Sequence, residues 1–250
     1  MKKAISSLCF KCLLLILPWQ TANAEMNEMD IQQLPLMVLV EEGTYYRGGN
    51  ENSKYTSAGV DMDGFYIAQT ELTRRTFNYF TELWSLKSRN RCIKNCDVPE
   101  DFSYLSATRF IQRLNEVTGL KFRLATELEW EYACTARGEI TEFCGSNNLD
   151  DVGVYSSNRR FKGTHPAASL RPNNLGLYDM TGNLSELVSN CFHNPNVSRF
   201  ITECPGQKGL KKGGNYFNPN GRQELTVMGR GEVENKDWDR GLGLRLVLDL

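Results

Sequence analysis

The second half of the chain has almost none of the regular spacing of apolar residues that helices and long strands require. Beyond about residue 138 the pattern becomes irregular, and Gly, Asn, Pro and Ser are dense from 145 to 222. Only short stretches such as Tyr216-Phe217 and 244–248 indicate strands. Because such loops have few backbone partners, we expect disulfides, ions or side-chain hydrogen bonds to hold them.

Cysteine residues supply one such constraint. Two of the eight, at positions 9 and 12, fall in the N-terminal segment discussed below, and six remain. The spacing of these six suggests three local disulfides: Cys92–Cys96, Cys134–Cys144 and Cys191–Cys204. Other connectivities remain open. Cys92 and Cys96 are also compatible with half of a zinc site, although the sequence has no matching second half.

The N-terminal segment has the three parts of a secretory signal peptide. Lys2 and Lys3 form a positive start, residues 12–19 are apolar, and Ala22-Asn23-Ala24 is a small-residue cleavage site. We therefore expect cleavage after Ala24 and a periplasmic protein. The expected division is a signal peptide at 1–24, an N-terminal extension at 25–34 and one domain at 35–250.

Charge and hydropathy exclude two classes of protein. Without the signal peptide the chain has 26 lysines and arginines against 30 aspartates and glutamates, whereas a general nucleic-acid binder is basic. The apolar run of the signal is about half the ~20 residues that a membrane-spanning helix needs. We expect neither nucleic-acid binding nor a membrane span.

The first half of the domain carries clear helix signals. Apolar residues recur at helical spacing over about 73–84 and about 106–117, and Gly119 follows where a left-handed cap is favoured. Thr126 and Glu129 form a capping box, which predicts the start of a third helix. Two or three helices followed by loops and short strands indicate an α+β domain.

The third predicted helix carries three acidic residues, Glu127, Glu129 and Glu131. They do not all share one face of a helix. We assign Glu129 to the cap and expect Glu127 to accept hydrogen bonds from backbone N–H groups of neighbouring loops. The chain has no nucleophile elbow, no Walker loop and no His-Glu-x-x-His motif, and we predict no catalytic residue.

Five segments, in this order, resemble the formylglycine-generating enzyme family, also called sulfatase-modifying factors. They are Phe65-Tyr66-Ile67 with Glu71-Leu72-Thr73, residues 123–133, residues 174–183, Lys212-Gly213-Gly214-Asn215-Tyr216 and Gly243-Leu244-Arg245-Leu246-Val247. The resemblance spans nearly the whole mature chain. It implies one loop-rich, disulfide-braced α+β domain of the C-type-lectin-like kind, in agreement with the pattern described above.

The oxidase chemistry of that family does not carry over to this sequence. In the formylglycine-generating enzymes, two cysteines just after the Gly-Gly-Ser strand bind copper and oxidise a sulfatase cysteine. Counted from Gly213-Gly214, these positions are Asn218 and Gln223, and no cysteine follows Cys204. Amide side chains cannot replace the thiolates that Cu(I) selects, so we expect no copper and no formylglycine-generating activity.

The resemblance also implies a calcium site. In the family a calcium ion is held by residues that match Asp179 and Glu186 through side chains, and Gly182 and Leu184 through backbone carbonyls. All four can supply the oxygen ligands that calcium takes. The alternative is that Asp179 caps a turn and Glu186 accepts backbone hydrogen bonds without an ion.

Two hypotheses about function follow. The first is an exported, non-catalytic pseudoenzyme that recognises a protein or peptide partner through the former peptide groove, as an assembly factor or a toxin-neutralising immunity protein. The predicted groove residues are Asn215, Asn218, Arg222, Gln223, Arg230 and Trp238. The alternative is a periplasmic maturation enzyme of altered chemistry, similar to siderophore-tailoring members of the superfamily, with Glu224 or Asp239 as the reacting group.

Overall fold

The computed structural model describes residues 28–48, 58–83, 94–156, 163–191, 208–217, 221–234 and 240–250. The predicted signal peptide, Cys92, Cys204, Asn218, Trp238 and Asp239 lie outside these ranges. Within them, no helix is both long enough and apolar enough to cross a membrane.

The described elements confirm an α+β architecture in which helices and short strands alternate with loops. The helices are α1 (Glu28–Gln33), α2 (Arg74–Leu83), α3 (Tyr104–Thr118), α4 (Glu127–Cys134), α5 (Leu149–Val152) and a 3₁₀ helix (Gly221–Leu225). The strands are β1 (Met37–Val40), β2 (Gly43–Tyr45), β3 (Val60–Met62), β4 (Phe65–Ala68), β5 (Phe122–Leu124), β6 (Gly153–Val154), β7 (Thr181–Gly182), β8 (Ser185–Cys191), β9 (Gly209–Lys212), β10 (Gly231–Val233), β11 (Leu242–Gly243) and β12 (Leu246–Asp249).

A four-stranded antiparallel sheet, in the order β1-β4-β12-β5, separates two hydrophobic cores. Alternate residues of a strand face opposite sides of a sheet. Leu248 and Phe122 therefore share one face, and they pack with the helical core that includes Phe110 of α3. Ile67 and Val247 share the other face and pack with Trp130 of α4. The chain places β12, its last strand, in the middle of this sheet.

Asn115 of α3 closes the β5 edge of this sheet. Its side-chain Nδ2 donates to the Phe122 carbonyl at 2.8 Å, and its Oδ1 accepts from the Phe122 N–H at 2.8 Å. This pair of hydrogen bonds imitates those of a neighbouring strand. It fixes α3 against the sheet and supplies hydrogen bonds to the Phe122 N–H and carbonyl, which would otherwise be unpaired at the sheet edge.

The predicted helix boundaries and caps are confirmed. Helix α2 begins at Arg74, and α3 extends two residues earlier than predicted, from a capping box at Ser103. Gly119 ends α3 in the left-handed conformation, with φ of 67°. Thr126 and Glu129 form the predicted capping box of α4. Each such cap contributes about 1 kcal/mol to helix stability.

The second sheet, in the order β10-β9-β8-β11, is built from the loop-rich half. All seven residues of β8 are buried, because this strand lies between β9 and β11 and carries side chains into both cores. The prediction that Tyr216-Phe217 forms a strand is wrong. These residues form a turn after β9, because Gly213 and Gly214 adopt φ values of 83° and 63° and redirect the chain.

The predicted disulfide between Cys134 and Cys144 is confirmed. It joins the end of α4 to the following loop, with the two Cα atoms 4.7 Å apart. Cys96 and Cys191 are disulfide-bonded as well. Cys96 is therefore not half of a zinc site, while the pairings Cys92–Cys96 and Cys191–Cys204 stay predictions.

Candidate functional site

The predicted metal loop is organised around a buried ion pair between Glu186 and Arg245. Arg245 Nη2 lies 2.7 Å from Glu186 Oε1, and each side chain is 1% exposed. The same arginine donates to the carbonyls of Ala68 and Tyr178, at 2.8 and 2.7 Å. Glu186 Oε2 also accepts from Trp130 Nε1 at 2.6 Å. The pair therefore joins β8, β4, α4 and the 178–183 loop.

The loop itself adopts backbone conformations that fix its side chains inward. Asp179 and Asn183 have φ of 58° and 60°, a region that aspartate and asparagine tolerate better than most residues. At Gly182, with φ of 77°, a Cβ would come within 2.1 Å of the Val154 carbonyl oxygen. Only glycine fits there, because β6 and β7 run side by side at this point.

Two further carboxylates lie in this region. Glu71 is fully buried and accepts from the Leu184 N–H and from Asn183 Nδ2, each at 2.8 Å. Burial raises its pKa well above the usual value, and the charges of Asp179 and Glu186 act in the same direction. Burial also raises the pKa of Asp179 to about 6.

The four residues predicted to bind calcium thus lie close together but make other contacts. Asp179 Oδ2 accepts from the Ala168 N–H at 2.7 Å, and both Glu186 oxygens are hydrogen-bonded by Arg245 or Trp130. Among the described residues, no group of three or more histidine, cysteine, aspartate or glutamate side chains is arranged to hold a metal ion. A calcium ion held by Glu186 would therefore have to compete with Arg245 and Trp130 for the Glu186 oxygens.

The structure separates the predicted groove residues. Asn215 is buried, and its amide donates to Ser185 Oγ at 3.2 Å, so it braces the chain instead of facing a partner. Arg222 is exposed, pairs with both oxygens of Glu142 at 3.0 Å, and stacks over the Phe143 ring at 4.8 Å. Gln223 follows it on the same 3₁₀ helix and is also exposed.

A second arginine–aromatic group, absent from the sequence prediction, begins directly after Asn215 in the chain. Tyr216 and Phe217 pack edge to face, Arg240 lies 5.3 Å from the Phe217 ring centre, and its Nε donates to the Tyr216 hydroxyl. Each group is connected to the Gly213–Asn215 segment: Gly214 packs against Glu224 and Leu225 of the 3₁₀ helix that carries Arg222, and Gly241, next to Arg240, packs against Asn215 and Phe217. We call Tyr216, Phe217, Arg222, Gln223 and Arg240 the aromatic–arginine surface. The sequence feature that could have indicated this surface is the pair of aromatic residues, Tyr216-Phe217, that follows Gly213-Gly214.

Glu127 and Glu131 of α4 form the centre of a charged cluster. Buried Lys212 lies 2.7 Å from Glu131 Oε1 and 5.5 Å from the centre of the Trp130 ring. Burial lowers the pKa of Lys212, and Glu131 opposes that shift. The expectation that Glu127 accepts backbone hydrogen bonds is wrong. Its carboxylate lies 2.9 Å from the predicted groove residue Arg230, because this helix face points at cations brought in by other loops.

The chain is similar in sequence to one protein family and to individual members of known name. The model of the family described as the sulfatase-modifying factor enzyme 1-like domain matches residues 22–250. A Paenibacillus barcinonensis protein named chaperone protein LppX is 23% identical over 253 residues, which covers 82% of this chain and 87% of that protein. The formylglycine-generating enzyme of Mus musculus is 32% identical over 112 residues, covering 38% of this chain and only 30% of the enzyme.

Solved structures share the fold. CarF superposes with a TM-score of 0.69 at 18% identity, covering 87% of this chain and 99% of CarF. PvdO from Pseudomonas aeruginosa superposes with a TM-score of 0.68 at 19% identity, covering 88% of this chain and 97% of PvdO. The predicted single domain with a formylglycine-generating-enzyme-like fold is thereby confirmed.

The first prediction concerns the buried ion pair. Arg245→Met should reduce the free energy of unfolding by about 3–5 kcal/mol, because it leaves Glu186 charged and buried without a cation. Arg113→Met is the matched control: Arg113 is half exposed and pairs with Glu116 on the surface of α3, so its loss should cost less than about 1 kcal/mol. Urea denaturation measures both. Equal losses in the two variants would contradict a central role for the pair.

The second prediction concerns calcium, which stays a prediction. An ion that binds only the folded state raises the melting temperature, so excess chelator should lower the melting temperature of calcium-treated protein. Asp179→Ala should abolish the difference between chelated and calcium-treated samples, whereas Asp150→Ala, on the exposed side of α5, should preserve it. Identical melting temperatures with and without chelator would show that calcium does not bind this loop.

Proposed function

Because the chain belongs to the family of the sulfatase-modifying factor enzyme 1-like domain, we propose that it is an exported, non-catalytic protein that uses this scaffold to bind a protein or peptide partner. The partner would be a secreted product that needs assembly, or a toxin that needs neutralising. Export is supported by the signal-peptide pattern of residues 1–24.

The observation that carries the proposal is the chemistry at the position of the copper-binding pair. Gln223, which matches the second cysteine, is an exposed amide on the 3₁₀ helix. The described cysteines, Cys96, Cys134, Cys144 and Cys191, are all disulfide-bonded. No cysteine follows position 204 in the sequence. Thiolate ligands for Cu(I) are therefore missing where the family places them.

The surface around this position has the composition of a recognition site. Aromatic and arginine side chains are enriched at the residues that contribute most to protein–protein binding. The aromatic–arginine surface supplies two aromatic rings and two arginines, and each arginine is held in place by a ring. Met228 lies close along the chain, with 41% of its surface exposed. A partner that covers this surface would bury apolar area without displacing any element of the fold.

The comparisons support binding over oxidation. The relative named a chaperone matches this chain over most of both lengths, whereas the match to the mouse formylglycine-generating enzyme covers less than a third of that enzyme. A chaperone binds another polypeptide, so the full-length similarity favours a partner-binding role for this chain. The alternative, a maturation enzyme of altered chemistry, predicts turnover of a small substrate and a different gene neighbourhood.

The third prediction is that partner capture depends on the aromatic–arginine surface. Tagged protein, cross-linked in its native compartment, should retain a specific partner. The double variant Phe217→Ser with Arg240→Ser should recover at least about tenfold less of it, because both changes remove recognition groups. Arg113→Ser, on the exposed face of α3, should recover as much as the unchanged protein. If the double variant recovers as much partner as the unchanged protein, the aromatic–arginine surface does not bind the partner.

The fourth prediction is the absence of oxidase activity. Mature protein incubated with copper, a reductant, oxygen and a cysteine peptide from a sulfatase should produce no formylglycine detectable by mass spectrometry, because the thiolate pair is missing. An authentic formylglycine-generating enzyme serves as the positive control under the same conditions. Formylglycine produced in proportion to added copper would refute a non-catalytic role.

A further inference from the structure

Met228 differs from the other methionines whose exposure the structure describes. It has 41% of its surface exposed, whereas Met37, Met62 and Met180 have 5%, 7% and 2% and belong to the two hydrophobic cores. The described cysteines are disulfide-bonded, so they do not compete with a thioether for an oxidant. Because sulfur oxidation follows access from solvent, Met228 is the thioether of these four that an oxidant in solution reaches without unfolding the chain.

The residue before Met228 is tied to the arginine of the 3₁₀ helix. The Val227 N–H donates to the Glu142 carbonyl at 3.0 Å. The Glu142 carboxylate in turn accepts from Arg222, and each of its oxygens lies 3.0 Å from a guanidinium nitrogen. One acidic residue therefore fixes both an arginine of the aromatic–arginine surface and the backbone that leads into Met228.

The residue after Met228 packs on the same 3₁₀ helix. The Gly229 N–H donates to the Thr226 carbonyl at 2.9 Å, and a Cβ at position 229 would lie 2.4 Å from the Gln223 carbonyl oxygen. The chain is thus in direct contact with the helix backbone one residue beyond Met228. Met228 therefore adjoins the aromatic–arginine surface on a segment that is held on both sides.

We propose that Met228 is a site of reversible oxidation to methionine sulfoxide, through which hydrogen peroxide weakens partner binding at the aromatic–arginine surface. The thioether sulfur attacks one oxygen of the peroxide, an S–O bond forms, the O–O bond breaks, and the second oxygen leaves as water. Sulfur loses the two electrons that the peroxide gains. In the reverse step a methionine sulfoxide reductase removes the oxygen as water while a dithiol is oxidised to a disulfide.

The oxidation changes the chemistry of the surface at one point. Methionine is apolar and flexible, so it adapts to the side chains of a partner, whereas its sulfoxide is polar. A partner that covered the sulfoxide would lose an apolar contact and would have to supply a hydrogen-bond donor to the S=O group. The effect on binding rests on the proposed function, and the modification itself rests on the exposure of Met228.

The first test measures oxidation without any partner. The full mature protein is treated with hydrogen peroxide, and the sulfoxide at each methionine is quantified over time by mass spectrometry of its peptides. Met228 should be oxidised at least about tenfold faster than Met37, Met62 and Met180, because a buried thioether reacts when the fold opens locally. Equal rates at Met228 and at the three buried methionines would overturn the modification site.

The second test measures the effect on the partner identified by cross-linked capture. Only the tagged protein is treated with peroxide, and the partner is added afterwards. Recovery should fall at least about tenfold and should return after treatment with methionine sulfoxide reductases of both stereochemical specificities. In Met228→Leu, which has no sulfur at this position, recovery should be the same before and after peroxide. Met62→Leu is the matched control, since it removes a buried thioether and should respond as the unchanged protein does.

A further variant reproduces the polar product without an oxidant. Met228→Gln carries a polar amide in place of the sulfoxide and should recover less partner than the unchanged protein in the absence of peroxide. An equal loss of recovery on peroxide treatment in Met228→Leu and in the unchanged protein would assign the effect to another methionine and overturn the proposal.

The two tests separate this inference from the proposed function. Fast oxidation of Met228 with full recovery of the partner would keep the proposed function and overturn the regulation. Fast oxidation in a protein that captures no partner at all would count against the proposed function, and the modification site would stand.

Discussion

The buried ion pair between Glu186 and Arg245 joins elements of both four-stranded sheets to α4 and to the loop at Tyr178. Arg245 reaches the carbonyls of Ala68 and Tyr178 while it neutralises Glu186, and Glu186 reaches Trp130. Two buried charges with satisfied partners define one geometry far more sharply than apolar packing does. A loop-rich half can keep a single shape around such a pair, and the exposed loops beyond it are then free to vary.

The helical half of the fold could be predicted because its signals are local. Gly119 lies one residue after the end of α3, and Thr126 and Glu129 are three residues apart, so each cap is complete within one turn of helix. The Cys134–Cys144 disulfide also closes a short loop. In these cases the residues that interact are neighbours in sequence, and the sequence pattern contains the whole interaction.

The charged clusters could not be predicted, because their members are far apart along the chain. Lys212 and Glu131 are 81 residues apart, and Arg245 and Ala68 are 177 apart. Helical spacing shows that Glu127 and Glu131 share a face of α4, but it does not show which cations that face meets. The aromatic pair after Gly213-Gly214 was mistaken for a strand for a related reason. Aromatic residues favour strands, and the left-handed glycines that turn the chain override that preference.

Asn115 has a consequence for self-association. Growth of a β-fibril requires each copy to offer two open sheet edges, one for the copy before it and one for the copy after it. In the β1-β4-β12-β5 sheet, the asparagine side chain occupies the outward N–H and carbonyl of Phe122 on β5, which removes one of the two edges. A second copy therefore cannot add a strand to β5 at Phe122 without displacing Asn115. A single amide in a helix thereby opposes growth of the sheet at this end.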